Sequence, residues 1–141
     1  MAAIVDTNIL VYRHDPRDLR KQRIAVELLR RGIGERSVYV AYQAIVEFYA
    51  TVTRRDRSGV PLLATAAAIR EIEEILVDFE VLYPTEEIIL AALDAVGAYQ
   101  LSWWDALMWA YADVHSLTEI ISEDFQHGRL YGRVRITNPF Q

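Results

Sequence analysis

The sequence predicts an α/β fold: a parallel sheet of five short strands with helices layered on both faces. Three observations predict it. Short apolar runs alternate along the chain with stretches whose apolar residues recur at helical spacing. The runs end at turn or capping residues, as strands that feed helices do. No repeat, low-complexity tract or linker interrupts the 141 residues, so they read as one domain. A chain of this length buries roughly two-thirds of its unfolded surface, enough for a core without staples.

The elements follow in order. Ala3-Ile4-Val5 is a buried strand closed by Asp6-Thr7-Asn8, a turn or helix cap. A helix begins near Arg17, with Ile24, Leu28 and Leu29 at helical spacing, and Gly32 and Gly34 are expected to stop it. Ser37 to Ala41 is rich in β-formers and reads as the second strand. Gln43 to about Thr53 is a helix with Ile45, Val46, Tyr49 and Val52 on one side. After the polar stretch Arg54 to Gly59, Pro61 suits the first turn of a helix carrying Ala67, Ala68, Ile72, Ile75 and Leu76. Phe79 to Leu82 is the third strand, closed by Pro84. Thr85-Glu86-Glu87 opens the next helix with a cap and two first-turn acids. A break over 97–101 precedes a helix from Ser102 to about Val114. Thr118 to Ser122 is the fourth strand, Val134 to Ile136 the fifth, and Asn138-Pro139 ends it.

The composition excludes several chemistries. There is no cysteine, hence no thiolate metal site and no disulfide. No stretch approaches the ~20 apolar residues of a membrane span. The start lacks the basic head and long apolar run of a signal peptide, so a cytoplasmic protein is expected. The formal net charge of −5 is unevenly spread: residues 1–60 hold 11 Lys and Arg against 7 Asp and Glu, residues 61–141 hold 4 against 13. The basic residues cluster at Arg13, Arg17, Arg20, Lys21, Arg23 and again at Arg54, Arg55, Arg57, and all but Lys21 are arginine. Arginine suits bidentate phosphate contacts, although a solvated helix face explains such clusters equally well.

In a parallel sheet, ligands bind beyond the carboxyl ends of the strands. Asp6 follows the first strand, Glu47 lies one turn into the helix after the second, Asp105 is in a helix's first turn, and Asp124 stands two residues beyond the fourth strand. All four therefore belong to one edge. Each has a bland reading: Asp6 and Asp105 as helix caps, the latter in a capping box with Ser102, Glu47 as an exposed helix residue, Asp124 as a turn residue. Together they make chemical sense. Grouped carboxylates repel unless a cation neutralises them. Magnesium takes oxygen ligands, keeps several waters and activates one for attack on a phosphodiester.

The same residues resemble the PIN-domain nucleases, in particular the VapC toxins of toxin–antitoxin pairs. The resemblance is carried by Ile4-Val5-Asp6-Thr7-Asn8-Ile9-Leu10, Val46-Glu47-Phe48, Ser102-Trp103-Trp104-Asp105-Ala106-Leu107, Ile121-Ser122-Glu123-Asp124-Phe125 and the tail Arg135 to Phe140, in that order along the whole chain. It implies a three-layer PIN-like fold, ribonuclease activity with Mg2+ (Mn2+ substituting), a homodimer and a cognate antitoxin partner. By position it gives Asp6, Glu47, Asp105 and Asp124 the metal-binding and catalytic roles, with Asp6 and Asp105 as direct ligands and Glu123 as the alternative to Asp124. Ser122 matches a supporting hydroxyl, and Thr7 and Asn8 hold the turn.

Arg13, Arg20 and Arg23 are positioned to guide RNA phosphates toward the acids. His14, His115 and His127 are potential bases, of which His127, three residues after Asp124, is the most interesting. Trp103 and Trp104 could stack on bases but suit packing better. Tyr39, Tyr42 and Tyr49 suit core or dimer contacts. The rival readings are a non-catalytic RNA- or protein-binding module, a family nuclease of RNA processing rather than a toxin, and a phosphoacceptor receiver domain. The last needs a lysine near the final strands, whereas Lys21 is far from them in sequence.

Overall fold

Two strands pass into helices with almost no turn between them, and both passages deliver acids to the same edge. The computed structural model describes residues 2–141. Strand β1 (Ala3–Val5) runs through Asp6 into α1 (Thr7–Tyr12), and β2 (Val38–Ala41) runs directly into α3 (Tyr42–Thr53). Between them lies α2 (Leu19–Glu35). Helix α4 (Thr65–Asp78) leads to β3 (Glu80–Leu82), and the hairpin of α5 (Glu86–Tyr99) and α6 (Trp103–Val114) leads to β4 (Glu119–Ile121). The chain closes with β5 (Leu130–Tyr131) and β6 (Val134–Thr137).

The sheet order is β3-β2-β1-β4-β6-β5. The first five strands in that order are parallel, with Val5 beside Val40 on one side and Ile121 on the other. The expected five-stranded parallel sheet is therefore present, with β5 added antiparallel to β6 at the edge. Two residues, Leu130 and Tyr131, are too short a run to announce a strand; the pairing with β6 makes it one.

Side chains alternate across the sheet as the pleat demands. Ala3 and Val5 pack under α1 to α4 with Ile9, Leu29, Phe48 and Ile75. Ile4, Ile120 and Ile136 face α5 and α6 with Ile88, Met108 and Tyr111. Both faces are covered, which completes the α/β/α layering.

Three local expectations fail for identifiable reasons. Gly32 and Gly34 lie inside α2, which ends instead with Arg36 in the left-handed region at φ 53°. Gly32 is required for closeness, because a Cβ there would collide with the Val38 side chain. Gly97 likewise lies inside α5, which Gln100 ends at φ 57°. The helix expected from Pro61 begins only at Thr65. Pro61 pairs with Arg55 across an isolated antiparallel bridge, and the Leu63 amide donates to the Val52 carbonyl at 2.8 Å, so this segment is tied to α3 before it can coil. Among the described residues no helix is long and apolar enough to cross a membrane.

Candidate active site

Strand order reverses between β1 and β4: from β1 the chain builds outward one way to β2 and β3, then returns to place β4 and β6 on the other side. In open α/β sheets this switch point leaves a crevice beyond the carboxyl ends. Asp6 and Asp124 leave the two strands that flank it. The same order disposes of the receiver-domain reading, whose parallel strands run 2-1-3-4-5. Lys21, remote from the last strands in sequence, is not remote in space: its Nζ lies 2.7 Å from Glu123, just past β4.

Asp6 caps α1. Its Oδ1 accepts from the Thr7 amide at 2.7 Å and its Oδ2 from the Ser122 hydroxyl at 2.7 Å. Ser122 is wholly buried, and its Oγ also accepts the Asp124 amide at 3.0 Å, so one hydroxyl fixes two acidic residues. Asn8 donates through Nδ2 to Asp124 Oδ2 at 3.0 Å. Thr7 donates through Oγ1 to Glu47 Oε2 at 2.7 Å, and Gln43, one turn earlier on α3, donates to Glu47 Oε1 at 3.2 Å. Asp105 stands in the first turn of α6, where the Ser102 hydroxyl caps its amide at 3.2 Å. Asp6 thus caps α1 while facing Ser122, whereas at Asp105 the cap itself is Ser102.

Asp124 and Glu47 lie near enough to both Asp6 and Asp105 to repel them. Burial pushes the Asp6 carboxyl up to about 6; hydrogen bonds from Ser122 and Thr7 oppose this, and repulsion from Asp124 and Glu47 adds to it. Burial also raises Asp105, the Ser102 hydroxyl opposes this, and the same two neighbours add repulsion. Every hydrogen bond just described comes from a neutral donor.

Carboxylate oxygens are the ligands a hard divalent ion prefers. Among the described residues no three acidic or histidine side chains are arranged to hold a metal as they stand. The surroundings nevertheless suit a hydrated hard cation. The carboxylates carry uncompensated negative charge, and the Asn8 Oδ1 and Gln43 Oε1 oxygens are buried without a hydrogen-bond partner. Both amides aim their nitrogens at site carboxylates, leaving two oxygens free to accept from bound water.

The neighbouring acid has a different fate. Glu123 accepts from Lys21 Nζ at 2.7 Å and from the Tyr12 hydroxyl at 2.5 Å. Lys21 also lies over the Tyr12 and Phe140 rings. Lys21 and Tyr12 carry no motif, and only their meeting in space identifies them. Gln43 had a legible signal, its position four residues before Glu47.

The remaining residues lie off the cluster. Arg13 reaches Glu71 at 3.8 Å, Arg20 donates to the Phe140 carbonyl at 2.6 Å, and Arg23 donates to the Leu19 carbonyl. His14 lies 3.1 Å from Glu71, His115 caps the end of α6, and His127 Nδ1 accepts from the Asn138 amide. Trp103, Trp104, Tyr42 and Tyr49 are exposed, and Tyr39 is partly buried. A groove of about 600 Å³ runs beside α2 toward the amino ends of the strands, lined by Arg23, Glu27, Arg31 and Glu35 among others. Its charges alternate in sign and none of the four acids reaches it, so size does not locate the chemistry.

The family model for the PIN domain matches residues 3–132. A toxin–antitoxin complex from Klebsiella pneumoniae is 20% identical, covers 98% of each chain and superposes with a TM-score of 0.67. VapBC2 from Rickettsia felis, bound to a DNA fragment from its promoter, is 10% identical over 98% of each chain with a TM-score of 0.72. VapC20 from Mycobacterium tuberculosis, a toxin that cleaves the sarcin–ricin loop, is 16% identical, covering 84% of this chain and 87% of its own, with a TM-score of 0.62. No curated protein sequence matches the chain.

Proposed function

The chain belongs to the PIN-domain family, and from that premise we propose that it is a metal-dependent endoribonuclease, the toxin of a toxin–antitoxin pair. One observation carries the proposal: at the switch point of the sheet, neutral donors hold the carboxylates of Asp6, Glu47 and Asp124, and neither these nor Asp105 join an ion pair among the described residues. Carboxylates left unpaired in this way are suited to a hydrated divalent ion.

Asp6 and Asp105 are assigned as direct ligands, Glu47 and Asp124 as the acids that complete the shell. Mg2+, or Mn2+ in its place, would neutralise the cluster, activate water and offset charge growing on the phosphate. The chain's own part is to hold the carboxylates in place. Ser122 locks the Asp6 rotamer and the loop before Asp124, Thr7 and Gln43 fix both oxygens of Glu47, and Asn8 fixes Asp124. The engagement of both Glu123 oxygens by Lys21 and Tyr12 supports Asp124 as the fourth acid.

A homodimer is supported by an apolar face. Tyr42, Val46 and Tyr49 are exposed on one side of α3, and Tyr83 packs against Tyr42 with ring centroids 5.9 Å apart. The antitoxin partner is supported by structural neighbours, among them a toxin–antitoxin complex and a VapBC protein, and a cytoplasmic setting is proposed with it. The test is incubation of the purified chain with RNA: cleavage with Mg2+ or Mn2+ is expected, none after chelation, and full recovery when the ion returns. Cleavage that survives complete chelation removes the metal from the reading.

A further inference from the structure

The two arginine clusters of the sequence lie more than thirty residues apart, and neither reaches the acids. Yet α1 packs on α3, and this brings Arg17 from one cluster to Arg54 and Arg55 of the other across a single cavity of about 440 Å³. Its walls include Val11, His14 and Pro61, with Asp56 the only carboxylate among the residues that line it.

We propose that this cavity is a phosphate subsite, which holds a backbone phosphate of the RNA strand two or three nucleotides from the scissile one. The proposal rests on the ribonuclease reading and extends it to the path of the substrate. Asp15 pairs with Arg17, and Arg54 and Arg55 against Asp56 leave the lining net positive. Asp56 Oδ1 is already committed to the Ser58 amide and hydroxyl and to the Val60 amide. Arg17 spends Nε and Nη2 on Asp15, and Arg55 gives Nη1 to the Gly59 carbonyl at 2.8 Å, leaving donors on both. Arg54 joins no ion pair among the described residues.

Position gives the cavity its meaning. Asp6 precedes α1 and Glu47 sits midway along α3; Val11, Thr51 and Arg54 line the cavity near the ends of the two helices. At 1.5 Å of rise per residue the separation along the helices is roughly 6–10 Å. That is about two or three nucleotides at the ~3.4 Å rise of a stacked strand. A cluster of carboxylates repels a polyanion, so a strand entering it needs an anchor of the opposite sign nearby. Arginine, with its planar fork of donors, supplies one.

The test uses the full chain carrying Asp105→Asn to prevent cleavage, a short labelled single-stranded RNA of random sequence, and anisotropy titrations across salt concentrations. Adding Arg54→Glu and Arg55→Glu is expected to weaken binding about tenfold or more and to flatten the dependence of log K on log salt by about 0.7 per lost phosphate contact. Both side chains are exposed, so melting should not change. The same reversal at Arg31, on the amino-end groove, should leave the slope nearly unaltered. In the cleaving protein the double change should raise KM and spare kcat. Unchanged affinity and slope in a chain that binds RNA overturn the subsite alone. Unchanged RNA binding with loss of an acidic protein partner assigns the cavity to that partner and also overturns it. Failure of the parent chain to bind or cleave RNA sinks the ribonuclease reading, and the subsite with it.

Discussion

Glu123 and Asp124 are adjacent, yet their carboxylates are held by opposite kinds of neighbour. Glu123 meets the only lysine of the chain and a tyrosine hydroxyl; its charge is neutralised by a cation the chain itself supplies. The pairing in turn pushes the Lys21 ammonium up to about 12, chiefly through its hydrogen bonds to Glu123 and Tyr12. Asp124, with Asp6, Glu47 and Asp105, meets hydroxyls, amides and other carboxylates. A carboxylate paired within the chain serves the fold, tying α2 to the loop after β4. Carboxylates oriented by neutral donors keep their charge for something outside the chain. The arginines that could have neutralised them face Glu71, Asp15 and backbone carbonyls instead.

The largest effect expected from this contrast is on the unpaired side. Asp105→Asn should reduce RNA cleavage by more than about a hundredfold, beyond the ~10–100-fold that losing a merely orienting residue costs. Folding should persist, because the Ser102 cap bonds the Asp105 amide rather than its carboxylate. Mg2+ should raise the melting temperature of the parent chain and not that of the variant. A folded variant that cleaves at the parent rate would return Asp105 to a helix residue.

The next effect is on stability against pH. The Asp6 carboxyl rises from its ordinary 3.8 to about 6, mostly through burial. The folded chain therefore binds this proton more tightly than the unfolded one. The stability it confers is full below pH 3.8 and is lost as pH rises to about 6. In metal-free protein the ionised Asp6 then costs at most about 3 kcal/mol, at ~1.4 kcal/mol per tenfold change in proton affinity. Asp6→Asn should thus melt higher than the parent at neutral pH without metal. The gap should close near pH 4, and Mg2+ should reverse it. A gap constant from pH 4 to pH 7 would show that Asp6 is not strained by its charge.

The strands and helices were legible because each one's apolar residues recur at its own period, and the four acids because each stands next to a strand or helix end. What was not legible depended on partners distant in sequence. Gly32 looks like a helix stop until Val38 is seen packed on it. Leu130-Tyr131 becomes a strand only beside β6. Lys21 lies a hundred and two residues from Glu123 and touches it. Arg13, Arg20 and Arg23 share a cluster with Arg17 in sequence, but helical geometry sends them to separate surfaces. The convergence of the acids was itself a matter of strand order, which no local pattern encodes. Placing β4 rather than β3 beside β1 is what brings Asp124 to Asp6.

That leaves the loop in which the two kinds of carboxylate are neighbours. Asp124→Asn should cut cleavage by about tenfold or more and leave melting almost unchanged, since its side chain is exposed and holds only the Asn8 amide. Glu123→Gln should do the reverse. It removes an ion pair of partly buried side chains, worth about 1 kcal/mol, and lets the loop after β4 drift from α2. Its cleavage should fall only a few-fold, through the loosened backbone that Ser122 must hold for Asp124. Lys21→Met should reproduce the Glu123→Gln result, because either change opens the same clamp. Measuring initial cleavage rates and melting curves on all three variants separates the roles. If Glu123→Gln abolishes cleavage while Lys21→Met does not, the acid acts on the reaction rather than through the clamp. Glu123 would then take the place assigned to Asp124.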